Sequence, residues 1–114
     1  MTTSRRALGI DGERRAEAWY VKHGYVVLAR NWRVREGEID LIVRNATTIV
    51  FCEVKTRATA AFGMPAEAVT PAKQARLRRL AGRYLAESSE RAGDLRFDVA
   101  AVMGGKVEII EGAF

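Results

Sequence analysis

Apolar and polar positions divide this chain into seven alternating segments of helical or strand character. From about Leu8 to His23 the spacing is helical: Gly9, Gly12, Ala16, Trp19 and Tyr20 share a face, and Gly24 follows as the stop. The small residues at 9, 12 and 16 predict a close approach to a sheet. Three strand-like runs come next, Tyr25 to about Val34, Glu38 to Arg44 and Ile49 to Lys55. The turns between them, Arg35-Glu36-Gly37 and Asn45 to Thr48, are short, which predicts an antiparallel meander. Residues 56–69, including Phe62-Gly63-Met64-Pro65, read as a loop. Thr70-Pro71 predicts a helix start, with Thr as N-cap and Pro at the first helical position. Leu77, Leu80, Ala81, Tyr84 and Leu85 give that helix a buried face. The polar stretch Ser88 to Asp94 leads to a strand over Leu95–Met103, and Gly104-Gly105 turns it into a last strand, Val107–Ile110. The order αβββαββ predicts one α/β domain, a sandwich with a mixed five-stranded sheet and flanking helices. Residues 1–7 read as a loose basic arm.

Charge interrupts this pattern at three strand positions. Gly37-Glu38-Ile39-Asp40-Leu41-Ile42 and Phe51-Cys52-Glu53-Val54-Lys55 place Asp40, Glu53 and Lys55 inside otherwise core-like strands. Desolvating an unpaired ion costs several kcal/mol, so such charges point to a use. Residues paired across an antiparallel hairpin keep a constant sum of positions. Setting Asp40 opposite Glu53 centres the turn between Ala46 and Thr47, inside the polar stretch Asn45 to Thr48. That register predicts two carboxylates as cross-strand neighbours, with Cβ atoms about 5 Å apart. Such a pair is destabilising alone, and a divalent cation reverses the penalty. Lys55 projects from the same strand face as Glu53, placed to orient an attacking water or stabilise a pentavalent transition state. The chemistry that fits is metal-assisted phosphodiester cleavage. A solvated Glu-x-Lys pair on an exposed strand is the bland alternative, and a one-residue shift of the turn would restore it.

Composition narrows the chemistry. With one histidine, His23, a histidine-rich zinc or copper site is excluded, and oxygen ligands imply Mg2+ or Mn2+. His23 sits before Gly24 and reads as a last-turn residue meeting free carbonyls. The single cysteine, Cys52, rules out an internal disulfide, reads as a small buried side chain and fits a reducing cytoplasm. No apolar run approaches the ~20 residues of a membrane helix, and no signal-peptide core is visible, so a cytoplasmic protein without a membrane partner is expected. The net charge of +5 favours a polyanionic partner, and 15 of the 19 basic residues are arginine, which suits bidentate phosphate contacts. A GC-rich genome would give the same arginine content, so the charge supports nucleic-acid binding without proving it. Arg76, Arg79 and Arg83 fall on one stripe of the second long helix, Lys73 lies near its apolar edge, and Arg57 follows Lys55; each is a candidate phosphate contact or an ordinary solvated charge. Trp19 and Trp32 read as core and strand-end packing ahead of base-stacking platforms, and Asp98 as a structural ion pair with Arg96 ahead of a site residue.

Gly-Glu-Ile-Asp-Leu-Ile followed by Val-Phe-x-Glu-Val-Lys-Thr-Arg (Val50 to Arg57) resembles the YraN-like family of small bacterial proteins. Gly9, Gly12 and Glu13 resemble its Gly-Glu motif, and Arg30-Asn31-Trp32-Arg33, Phe62-Gly63 and Arg96-Phe97-Asp98-Val99 its further motifs. That family is similar to Holliday-junction resolvases and the PD-(D/E)xK nucleases, so the resemblance implies a restriction-endonuclease-like sandwich. It also implies Asp40 and Glu53 as metal ligands with the Val54 carbonyl as a third, Lys55 as the catalytic lysine, and Glu13 as an additional acid. Residue by residue, Glu13 lies beside the Ala16/Tyr20 edge of the first helix and reads equally well as an acid favoured by the helix dipole. Where the superfamily has proline before the aspartate, this chain has Ile39. The expected activity is a metal-dependent endonuclease acting on DNA, ahead of RNA, or on structured nucleic acid. A non-catalytic nucleic-acid-binding module and an adaptor in DNA repair or recombination are the alternatives, and the resolvase likeness leaves a homodimer open.

Overall fold

The computed structural model describes residues 5–57 and 69–114. Helix α1 spans Arg5–Lys22, strands β1, β2 and β3 span Val26–Val34, Gly37–Arg44 and Thr48–Arg57, helix α2 spans Pro71–Glu87, and β4 and β5 span Asp94–Met103 and Lys106–Ile110. This is the expected αβββαββ order. One boundary needs correction: α1 starts at Arg5, so Arg5–Ala7 of the expected arm are helical, as the good helix propensity of Arg and Ala permits. Strand β3 also runs two residues past Lys55. The motif Phe62-Gly63-Met64-Pro65 lies outside the described residues.

The strands form one sheet in the order β1-β2-β3-β4-β5. Among the described strands only β3 and β4 run parallel, because the chain crosses over through α2 between them. Asn45 sets the β2–β3 turn, its Oδ1 accepting from the amides of Thr47 and Thr48 at 3.0 and 2.9 Å. Gly104 and Gly105 both adopt positive φ (58° and 77°), the conformation a tight two-residue hairpin demands.

The helices cover opposite faces. Leu77, Leu80, Ala81 and Tyr84 of α2 pack with Ile42, Ile49, Phe51, Phe97 and Val99. On the other face, Ala16 and Tyr20 of α1 pack with Leu41, Val43, Val50, Cys52 and Ala100. Full burial of each large aliphatic side chain contributes about 1.5–3 kcal/mol. Gly12 lets α1 lie close: a Cβ there would sit 1.8 Å from Thr56 Oγ1. Trp32 stands edge-on to Tyr84 within the α2-side core, and Trp19 packs beside Tyr20, so both tryptophans are packing residues. His23 stacks on Trp19 and donates from Nδ1 to its carbonyl at 2.7 Å, the expected last-turn role. Thr70 caps α2, its hydroxyl accepting from the Lys73 amide at 3.2 Å, an interaction of about 1 kcal/mol. Among the described residues no helix is long and apolar enough to cross a membrane.

Candidate functional site

Strands β2 and β3 do not stay together. Their ladder follows the expected constant-sum register from Arg44↔Ile49 to Leu41↔Cys52 and ends there. Strand β2 remains paired with β1 down to Val34↔Gly37, so β2 and β3 part as a fork. The side-chain alternation of β2 breaks at the same place: Ile39 and Ile42 both pack with α2, whereas Leu41 and Val43 pack with α1. Asp40 sits at that break. Its carboxylate bridges the fork, Oδ2 accepting from the Val54 amide at 2.8 Å. The expected register is therefore right, but Asp40 and Glu53 are not a ladder pair; they flank the fork's opening.

Glu53 is buried on β3 and faces two ammonium groups. Lys73 Nζ, from the first turn of α2, lies 2.9 Å from Glu53 Oε1, and Lys55 Nζ lies 3.4 Å from the same oxygen. Asp40, Glu53, Lys73 and Arg76 line one cavity of about 290 Å³ with Gly37, Glu38 and Leu77. Val54 is two residues beyond Cys52, so its backbone amide and carbonyl both face β2, and the carbonyl opens into the fork. Asp40 also lines a second cavity, of about 340 Å³, on the α1 side with Glu13, Arg14, Glu17, Arg30 and Asn31. Glu13 turns toward the sheet there, accepting from Asn31 Nδ2 at 2.7 Å, while Glu17, in the same lining, is engaged by Arg30 at 3.0 Å.

Burial pushes the Asp40 carboxyl up to about 7, helped by the charge of Glu53 and opposed by the Val54 amide, with Glu13 and Glu38 adding to the rise. Burial, with Lys73 alongside, holds Lys55 below the ordinary lysine range. Lys73 is raised: burial opposes the charge, but its bonds to Lys55 and Glu53 and the nearby acids outweigh that.

The sign for Asp40 leads to a stability prediction. Its folded value of about 7 lies above the ordinary 3.8, so above pH 7 the folded protein carries a charge the unfolded chain solvates better. As pH falls through 7 toward 3.8, the folded state takes up the proton first and the penalty fades. Asp40→Asn keeps an acceptor for the Val54 amide, and it should stabilise the metal-free protein at pH 8 by roughly 1–3 kcal/mol, with no gain below pH 4. Urea unfolding at both pH values checks this; equal stability of the two proteins at pH 8 would contradict it.

The remaining candidates separate. Arg76 reaches the main cavity, and Arg76 and Arg79 border a smaller recess with Glu36. Arg83 is instead engaged by Glu36 and by Glu87, the latter at 2.9 Å. Arg57 closes β3, its buried Nε without a hydrogen-bond partner among the described residues. Two contributors were not singled out from the sequence: Glu38, which lines the main cavity, and Asn31, which presents its amide to Glu13. Asn31 adopts φ 47°, and asparagine is one of the few residues that tolerates this left-handed conformation. An Asn inside a strand pattern is the signal that could have marked it.

Among the described residues, no three His, Cys, Asp or Glu side chains converge closely enough to hold an ion by themselves. Three carboxylates line the main cavity, Glu38, Asp40 and Glu53, and Glu38 is engaged by Arg33.

Comparison with known proteins places this geometry in a family. The model of "Uncharacterised protein family UPF0102" matches residues 12–102, which span every candidate residue above. A UPF0102 protein of Beutenbergia cavernae is 54% identical over 97 residues, covering 85% of this chain and 82% of its own length. A UPF0102 protein of Leifsonia xyli subsp. xyli is 50% identical over 96 residues, covering 84% and 81%. One of Frankia alni is 48% identical over 113 residues, covering 95% and 94%. With a family model across most of its length and relatives aligned nearly end to end, the chain belongs to the UPF0102 family, the YraN-like proteins.

Proposed function

We propose that this protein is a divalent-metal-dependent endonuclease that hydrolyses phosphodiester bonds in DNA or structured nucleic acid. The fork carries the reading. Asp40 and Glu53 line one cavity, the Asp40 carboxylate is bonded to the Val54 amide, and the Lys55 ammonium lies 3.4 Å from Glu53.

The residues fit Mg2+ or Mn2+. Magnesium keeps several waters and is commonly held by one or two carboxylates plus substrate phosphate, so a third acidic ligand is not required. Burial, and then the charge of Glu53, penalise the ionised Asp40 carboxylate, a penalty that a bound cation would relieve. Asp40, Glu53 and the Val54 carbonyl would hold the ion. Bound there, a divalent cation supplies a Lewis acid for the phosphate and lowers the pKa of a coordinated water.

The chain's own groups do the rest. Lys55, half-buried beside Glu53, positions the attacking water and meets negative charge growing on the phosphate oxygens. Arg76 and Arg79 continue from the cavity along α2, placed for flanking phosphates. Glu13, held by Asn31, lines the α1-side cavity with Asp40 as the additional acid of the site.

Calorimetric titration of metal-free protein with Mn2+ tests the reading. Wild type should bind one ion, and Asp40→Asn and Glu53→Gln should each weaken binding roughly 10–100-fold or more, as loss of a charged ligand does. Unchanged binding in both variants would remove the proposed centre.

A further inference from the structure

Glu53 has more positive charge around it than it needs. A single carboxylate oxygen faces both Lys73, at 2.9 Å, and Lys55, at 3.4 Å, which sets two ammonium groups against each other. The two lysines are not equivalent. Lys55 is fixed on the same strand face as Glu53 and keeps that neighbour in any arrangement of the site. Lys73 arrives on a flexible stem from the first turn of α2, and a quarter of its side chain is open to solvent. Arg76 stands one helical turn further along the same cavity wall.

We propose that Lys73 is an exchangeable counter-ion. It neutralises Glu53 in the metal-free protein, gives that carboxylate up to a divalent cation, and then joins Arg76 in gripping the phosphate of an entering nucleic acid. The proposal rests on the metal-dependent reading above. A divalent cation held by Asp40 and Glu53 would match both carboxylates and would repel the ammonium of Lys73 from Glu53. A phosphate brought to the ion restores a partner for it, within reach of Arg76. Metal binding thereby creates the substrate's anion seat, so metal and nucleic acid bind with positive coupling.

Two affinities measured on the same variants test this. Removing a competing charge at about 3 Å in a half-buried site should let Lys73→Met bind Mn2+ roughly 5–10-fold more tightly than wild type, whereas Lys73→Arg should stay near wild type. A fluorescein-labelled oligonucleotide, added with Ca2+ to limit turnover, should bind Lys73→Met roughly 3–10-fold more weakly. Loss of structure would weaken both affinities, so the opposite directions are the signature. Equal Mn2+ affinity in wild type and Lys73→Met, with binding still lost in Glu53→Gln, overturns the counter-ion role and leaves the metal centre standing. Unchanged oligonucleotide binding by Lys73→Met overturns the phosphate role. Failure of every variant, wild type included, to bind Mn2+ overturns this proposal and the metal reading together.

Discussion

Asp98→Ala is expected to destabilise the fold by roughly 3–5 kcal/mol, a large share of the 5–15 kcal/mol typical of a domain. Asp98 is fully buried on β4 and accepts four hydrogen bonds. Arg96 donates from Nε and Nη2 at 2.8 and 2.9 Å, the Tyr20 hydroxyl at 2.7 Å, and the Gly112 amide at 3.0 Å. One carboxylate thus ties α1, β4 and the segment after β5 together. Its removal takes the acceptor from the hydroxyl of the fully buried Tyr20 and leaves the Arg96 guanidinium only Glu111 and the Tyr25 hydroxyl, and a buried group losing its partner is costly. Burial pushes the Tyr20 phenol far above its ordinary value, which favours the protonated, donating form. Asp98→Asn keeps the shape and part of the accepting capacity, and it should cost about half as much. Urea unfolding at pH 7 measures both; a loss under about 1 kcal/mol for Asp98→Ala would show that the network is not what joins these elements.

The same residue illustrates how far local sequence reading goes. Arg96 as its partner was legible, because the two alternate on one strand face. Tyr20 was not, since 78 positions separate it from Asp98 and only the packing of α1 on the sheet joins them. The fork follows the same division. Asn45 to Thr48 announced the turn, and the turn fixed the register down to Leu41↔Cys52. That the strands separate one step later, with Asp40 reaching the Val54 amide, depends on the break in β2's alternation, which a run of apolar residues conceals. Lys73 was legible as a cation near the apolar edge of α2, but its destination on Glu53 depends on how the helix docks. Arg83 shows the reverse error of scale: its place in an arginine stripe is a helix-spacing fact, while its engagement by Glu36 is a tertiary one.

Lys55→Ala is expected to reduce phosphodiester cleavage by roughly 10²–10³-fold, the usual cost of deleting one donor aimed at transition-state charge. The fold should tolerate the change. Lys55 is only partly buried near the end of β3, and Lys73 still neutralises Glu53 when Lys55 is gone. Removing a half-buried cation whose proton affinity burial already lowers relieves a desolvation cost as well as losing a contact. Metal affinity should therefore persist in Lys55→Ala while turnover falls, which separates a role in the chemical step from a role in assembling the site.

The measurement that reaches the central claim most directly is cleavage of a panel of end-labelled single-stranded, duplex, flapped and four-way-branched nucleic acids by wild type and Lys55→Ala. Both proteins are assayed with Mn2+ and with chelator. The account predicts wild-type cleavage of at least one substrate that stops with chelator and falls by at least about 10² in Lys55→Ala. Intact substrates throughout the panel with wild type and Mn2+, or cleavage equal in the two proteins, would contradict it.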